Sequence, residues 1–111
     1  MIDWQRVTDL RDEVGSEDFK EVLDLFLEEV EEVITRMRRM PDPARYEEDL
    51  HFLKGSSLNL GFAAFSTLCE EGEQNALQGK TDLIDLAKVF ATYEASKAAF
   101  AVRSEELCSA A

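Results

Sequence analysis

The sequence predicts an all-α protein: an antiparallel four-helix bundle with a short extra N-terminal helix. Three observations carry this. Glycine and proline are scarce, at 5 and 2 of 111 residues, and most of them separate periodic segments instead of interrupting them. Within the segments, apolar residues recur at spacings of three and four. The connections are only a few residues long, which makes successive helices antiparallel neighbours. A chain of this length suits one domain, 1–111, with one core, and its 45% hydrophobic content is too high for a disordered polymer.

Each element has a local reason. Residues 3–13 form the short helix, with Trp4, Val7, Leu10 and Val14 along one side. Gly15-Ser16 breaks it, and Ser16 is placed to cap the next helix, which runs over 16–39. There Phe19, Val22, Phe26, Val30, Val33 and Met37 recur at three and four, and Leu23, Leu27 and Ile34 widen the stripe enough to face a bundle core. Arg36, Arg38 and Arg39 close this helix where cations suit the dipole, and we read them as helix-end chemistry, not as a binding patch. In Met40-Pro41-Asp42-Pro43, Asp42 caps and Pro43 takes the first helical position, opening a helix over 43–60. Gly61 stands where a C-terminal glycine cap belongs. A helix over 63–78 turns Phe65, Leu68, Cys69, Gly72 and Ala76 inward, with Gly72 permitting close helix contact, and Gly79 ends it. The last helix spans 81–104 from Thr81-Asp82 and carries Leu83, Leu86, Ala87, Phe90, Tyr93 and Phe100. The tail from about Glu105 is expected to fray.

Charge narrows the function. The net charge is −12, from 24 acidic and 12 basic residues. Such a surface repels phosphate backbones and anionic lipid, so nucleic acid and membrane are poor partners. No apolar run approaches a membrane span, and Met1 to Arg6 lacks the pattern of a secretory signal. Cys69 and Cys108 lie far apart without metal-ligand spacing and read as reduced thiols. We therefore expect a cytoplasmic protein. The starting methionine and the lack of linker sequence are those expected of a free-standing domain, not of one cut from a larger kinase.

The stretch His51-Phe-Leu-Lys-Gly-Ser-Ser-Leu-Asn-Leu-Gly61 contains the only histidine of the chain. At about 100° per residue, Tyr46, Leu50, Leu53, Ser57 and Leu60 fall in one stripe facing the core. His51 then lies roughly 140° away, toward solvent, with Lys54 on its side of the stripe and Gly55 nearly opposite the core. Phe52 and Leu58 project outward beside it. Taken singly, a histidine, a lysine and two apolar residues on a helix surface are unremarkable. Gly55 is different, because a glycine inside a helix costs about 1 kcal/mol relative to alanine. Facing away from the core, it makes sense if something large approaches His51. An exposed imidazole is partly neutral and nucleophilic near neutral pH, and Lys54 could balance the charge of a phosphoryl group. The sequence has neither a Gly-rich phosphate loop nor an acidic cluster arranged for magnesium. A partner would have to supply both the metal and the phosphoryl donor.

This stretch resembles the signature of histidine-containing phosphotransfer (HPt) domains at His51, Leu53, Lys54, Gly55, Ser56, Ser57, Asn59, Leu60 and Gly61. The helix with Leu68, Cys69 and Glu73 resembles the family more loosely. The resemblance implies an exposed phosphoacceptor, His51, midway along the second long helix, modified at Nε2. His51 would take a phosphoryl group from the aspartate of one response-regulator receiver domain and pass it to another, within a histidine kinase pathway. Lys54 would assist the phosphoryl group and Gly55 would leave room for the receiver. The resemblance further implies a monomeric phosphocarrier that is not itself an enzyme and holds no cofactor, magnesium coming with the receiver. Receivers would dock on the first two long helices, where Glu48, Phe52, Leu58 and Asn59 are the candidate contacts. Leu25 either joins them or packs under the N-terminal segment. Leu50 departs from the small residue usual before the histidine, and we expect altered packing there without loss of activity.

Two rival readings remain. Glu48-x-x-His51 has the spacing of carboxylate-bridged iron proteins, but such sites need a second copy and inward-facing ligands. A phosphorylation-independent adaptor that binds a receiver or another signalling protein has little need for both Lys54 and Gly55.

Overall fold

A computed structural model describes the backbone of residues 2–109 and the side chains of residues 2–103. It contains five helices: α1 (Trp4–Val14), α2 (Phe19–Arg39), α3 (Tyr46–Asn59), α4 (Ala63–Leu77) and α5 (Leu86–Ser109). Short 3-10 turns at Pro43–Arg45 and Thr81–Leu83 lead into α3 and α5. There is no strand among the described residues, only an isolated antiparallel bridge between Ile2 and Phe62.

Local chemistry sets the helix ends. Asp3 caps α1 by accepting from the Arg6 amide, and Asp42 accepts from the Ala44 amide with Pro43 at the first position of its turn. α2 begins at Phe19, later than the 16–39 expected from sequence. Residues 16–18 form a turn, with the Asp18 carbonyl taking the first amide bond, from Val22, at 3.0 Å. The last helix also starts late. Asp85 accepts from the Lys88 amide at 3.1 Å, the bond of an N-cap. The helix therefore opens at Leu86, and Leu83 in the preceding turn is exposed. Ala87 is exposed too, and Val89 is the buried residue of that first stretch. At the other end the helical backbone continues through Ser109, past the expected fraying point at Glu105.

The core runs the length of the bundle. Phe19, Leu23, Val30, Ile34 and Met37 of α2 meet Tyr46, Leu50, Leu53 and Leu60 of the second long helix and its end, with Phe65 and Cys69 of α4 and Val89, Tyr93 and Phe100 of α5. Phe62 and Phe65 each pack against the Tyr93 ring, and Phe62 also meets Phe100 edge to face. Burial pushes the Cys69 thiol up to about 12. The Cys108 side chain lies outside the described residues.

Helix α1 covers one end. The Asp3 amide donates to the Gly61 carbonyl at 2.6 Å, and Trp4 stacks on Phe100 with ring centroids 5.7 Å apart. Gly61 has φ +74°, and a Cβ there would stand 2.6 Å from the Asp3 carbonyl oxygen. Only glycine tolerates both the left-handed backbone and that approach.

Ion pairs tie the helices laterally. Two arginines of the α2 end do more than suit its dipole. Arg36 grips Asp49 of α3 with both terminal guanidinium nitrogens, one at 3.1 Å. Arg38 pairs with Glu94 of α5 and lies over the Phe90 ring. Glu31 of α2 pairs with Lys97 and accepts from the Tyr93 hydroxyl, which holds its carboxyl below the usual range, Lys97 contributing most.

Helices α3 and α4 form the closest pair. A Cβ on Gly72 of α4 would stand 2.8 Å from Cδ1 of Leu50, so the missing side chain makes room for the bulky residue that precedes His51. Gly72→Ala should therefore be destabilising by roughly 1 kcal/mol net, overpacking outweighing the helix propensity gained. In urea unfolding of the four-member cycle with Leu50→Ala, the double variant should recover about 1 kcal/mol relative to the summed single costs. Additive costs would show that this contact does not set the helix spacing.

Candidate functional site

His51 is the sixth residue of the fourteen in α3. Its neighbours on the apolar stripe, Tyr46, Leu50, Leu53, Ser57 and Leu60, are all buried. That anchors the helix rotation and turns the imidazole outward, where the side chain is 68% exposed. Phe52 and Leu58 are exposed beside it, at 37% and 54%. Gly55 is exposed as well, and a Cβ built there meets nothing within 4 Å.

The ring is held from α4. Nδ1 of His51 is 2.7 Å from Oε2 of Glu73, and Nζ of Lys54 donates to Oε1 of the same carboxylate at 2.7 Å. Glu73 thus spans a histidine and a lysine one helical turn apart. Its side chain is only 10% exposed, and a carboxylate in that position needs both partners to remain charged. Lys54, followed by His51, holds the Glu73 carboxyl below its usual range against the opposing effect of burial. Glu73 in turn raises Lys54.

The charge state of Glu73 determines the tautomer of His51. An ionised carboxylate only accepts hydrogen bonds, so Nδ1 carries the proton and donates it. In the neutral ring, Nε2 then keeps the free lone pair. The arrangement is an exposed, oriented nucleophile with a carboxylate behind it and a cation one turn away.

Glu73 is the residue that the helical pattern alone did not single out. The signal was present: Phe65, Ser66, Cys69, Gly72 and Glu73 are all buried, and they recur at three and four. An acid on such a stripe requires a partner from another element.

The remaining candidates divide. Glu48 is exposed on the first turns of α3, and Leu25 on α2 is exposed at 57%, so it does not pack under the N-terminal segment. Asn59 meets another element of the protein. It is half-buried, and its side-chain carbonyl accepts from Arg6 of α1 at 3.1 Å. It also lies eight residues from His51, about 12 Å along the helix. The N-terminal helix is thus hydrogen-bonded to the end of α3 through Asn59. Among the described residues, no group of three or more His, Cys, Asp or Glu side chains is placed to hold a metal ion, and no helix is long and apolar enough to cross a membrane.

The site generates two predictions. Gly55→Ala should raise stability by up to about 1 kcal/mol, because the added methyl meets no neighbour and improves helix propensity. Thermal or urea unfolding reads this directly, and a loss of stability would mean that the glycine serves packing. Because the Glu73 carboxyl titrates below its unfolded value, its contribution is full above about pH 4.3 and is lost as pH falls through the lower folded value. Glu73→Gln should thus lower stability at pH 7 and shrink the difference between urea curves recorded at pH 7 and pH 3.

A family model described as Hpt domain matches residues 21–107. No curated protein and no solved structure matches the chain.

Proposed function

This chain belongs to the Hpt domain family, and from that premise we propose that His51 relays phosphoryl groups between receiver-domain aspartates of a phosphorelay. Hpt domains are phosphocarriers that act through a histidine, and the helical bundle is the scaffold of that family. The single observation that supports the specific residue is the exposed His51 ring held at Nδ1 by the buried carboxylate of Glu73.

The geometry supports one form of the transfer step. The Nε2 lone pair of neutral His51 attacks the phosphorus of an aspartyl phosphate on the receiver. An N–P bond forms, the acyl O–P bond breaks, and the aspartate leaves as a carboxylate. The ring becomes positively charged while Nδ1 keeps its proton. Glu73 faces that proton and stabilises the developing charge, as the buried acid does behind a catalytic histidine. In the reverse step the phosphohistidine gives its phosphoryl group to the aspartate of a second receiver, and the ring returns to neutrality.

Lys54, one helical turn from His51, would serve the phosphoryl oxygens as a point charge. Its ammonium now lies on Glu73, so it would share itself between the two anions. Gly55 leaves the approach to His51 open on the next turn. The domain supplies neither the nucleotide nor the metal in this reading. Magnesium belongs to the receiver, and the domain carries the phosphoryl group without kinase activity of its own.

His51→Gln should abolish acid-labile phosphorylation by a phosphorylated receiver, while circular dichroism and receiver binding stay nearly unchanged. Phosphate transfer that persisted in this variant would end the reading. Glu73→Gln should slow transfer by about a hundredfold. It should also change the Nδ1 and Nε2 nitrogen shifts of His51 as the tautomer preference is lost, a signature that a purely structural role would not produce.

A further inference from the structure

We propose that the receiver that docks over His51 is basic along the edge that lies against α2. This rests on the function proposed above and adds the chemistry of the partner.

The pair Arg36–Asp49 fixes which side of α2 borders α3. At about 100° per residue, Leu25, Glu29 and Glu32 lie within roughly 60° of one another and of Arg36 on that side. On α3, Asp49 marks the matching flank, and Phe52, Glu48 and Gly55 follow it outward toward His51 by the same rotation. The two helices thus present one continuous face. Leu25, Phe52 and Leu58 are exposed on it, and nothing lies near the missing side chain of Gly55.

The edge of that face is negative because two of its cations are already engaged. Arg36 is held by Asp49, and Lys54 by Glu73. Glu29, Glu32 and Glu48 are exposed, and none of them forms an ion pair among the described residues. Arg39 lies two turns past Glu32, at the end of α2. A receiver with acidic residues at this edge would meet unneutralised carboxylates, whereas lysines or arginines there would be attracted at long range and held at the rim. The exposed apolar residues would supply contact area, and the acidic edge would select which receiver arrives.

The test uses phosphoramidate, a small donor that needs no docking surface, to label His51 in the full chain. A panel of receiver domains is then added, and loss of phosphate from the labelled chain is followed. With a receiver that accepts the phosphate, the second-order rate should fall several-fold between about 20 mM and 500 mM salt, as the Debye length shortens. Glu29→Lys with Glu32→Lys should take the same label at the same rate, yet transfer about tenfold more slowly at low salt. Changing the receiver's edge lysines or arginines to glutamate should restore the rate. Transfer that is independent of salt and unaffected by the double substitution overturns the basic edge and leaves the relay function standing. A labelled chain that transfers to no receiver in the panel overturns the relay function itself, and the basic edge with it.

Discussion

One carboxylate organises the site. Glu73 sits nearly buried between α3 and α4 and accepts from both His51 and Lys54 at 2.7 Å. Its burial is tolerable only because two donors meet it. Those donors lie three residues apart on one helix, so satisfying the acid also fixes the direction of the imidazole. A freely rotating surface histidine would sample both tautomers and many orientations. Here the hydrogen bond selects the Nδ1–H form and leaves the Nε2 lone pair free.

The reach of Glu73 depends on packing one residue away. Leu50 fills the space opened by Gly72, and the adjacent pair is His51 and Glu73. A side chain at position 72 would hold the two helices apart at the level where the carboxylate must cross. The bulky residue before the histidine and the glycine before the acid are thus two halves of one contact. The two glycines of the paired helices do opposite jobs: Gly72 admits a neighbour within the protein, and Gly55 leaves space outside it.

Around this centre the two sides of α2 differ. On the α5 side, α2 is tied by Glu31 to Tyr93 and Lys97, and by Arg38 to Glu94. On the α3 side, Arg36 on Asp49 leaves the outer carboxylates of α2 unpaired beside an apolar surface. Helix α1 closes the end, where Arg6 takes Asn59 and Gly61 takes Asp3. The N-terminal segment is thereby part of the scaffold that holds the far end of α3, well away from His51.

The sequence alone determined the all-α class, the outward direction of His51, the open space at Gly55 and the core role of Leu50, because period and rotation about a single helix are local properties. It placed the starts of α2 and α5 three and five residues early, where Asp18 and Asp85 compete with nearby Ser16 and Thr81 as possible starting points. Only the tertiary structure decided what the charged side chains do. That Glu73 holds His51 and Lys54, that Arg36 grips Asp49, and that Asn59 serves α1 are pairings across helices. Spacing within one helix tells which way a side chain leaves its axis; which group it meets depends on how far apart the helices pack, and that distance follows from side-chain volumes such as those of Leu50 and Gly72.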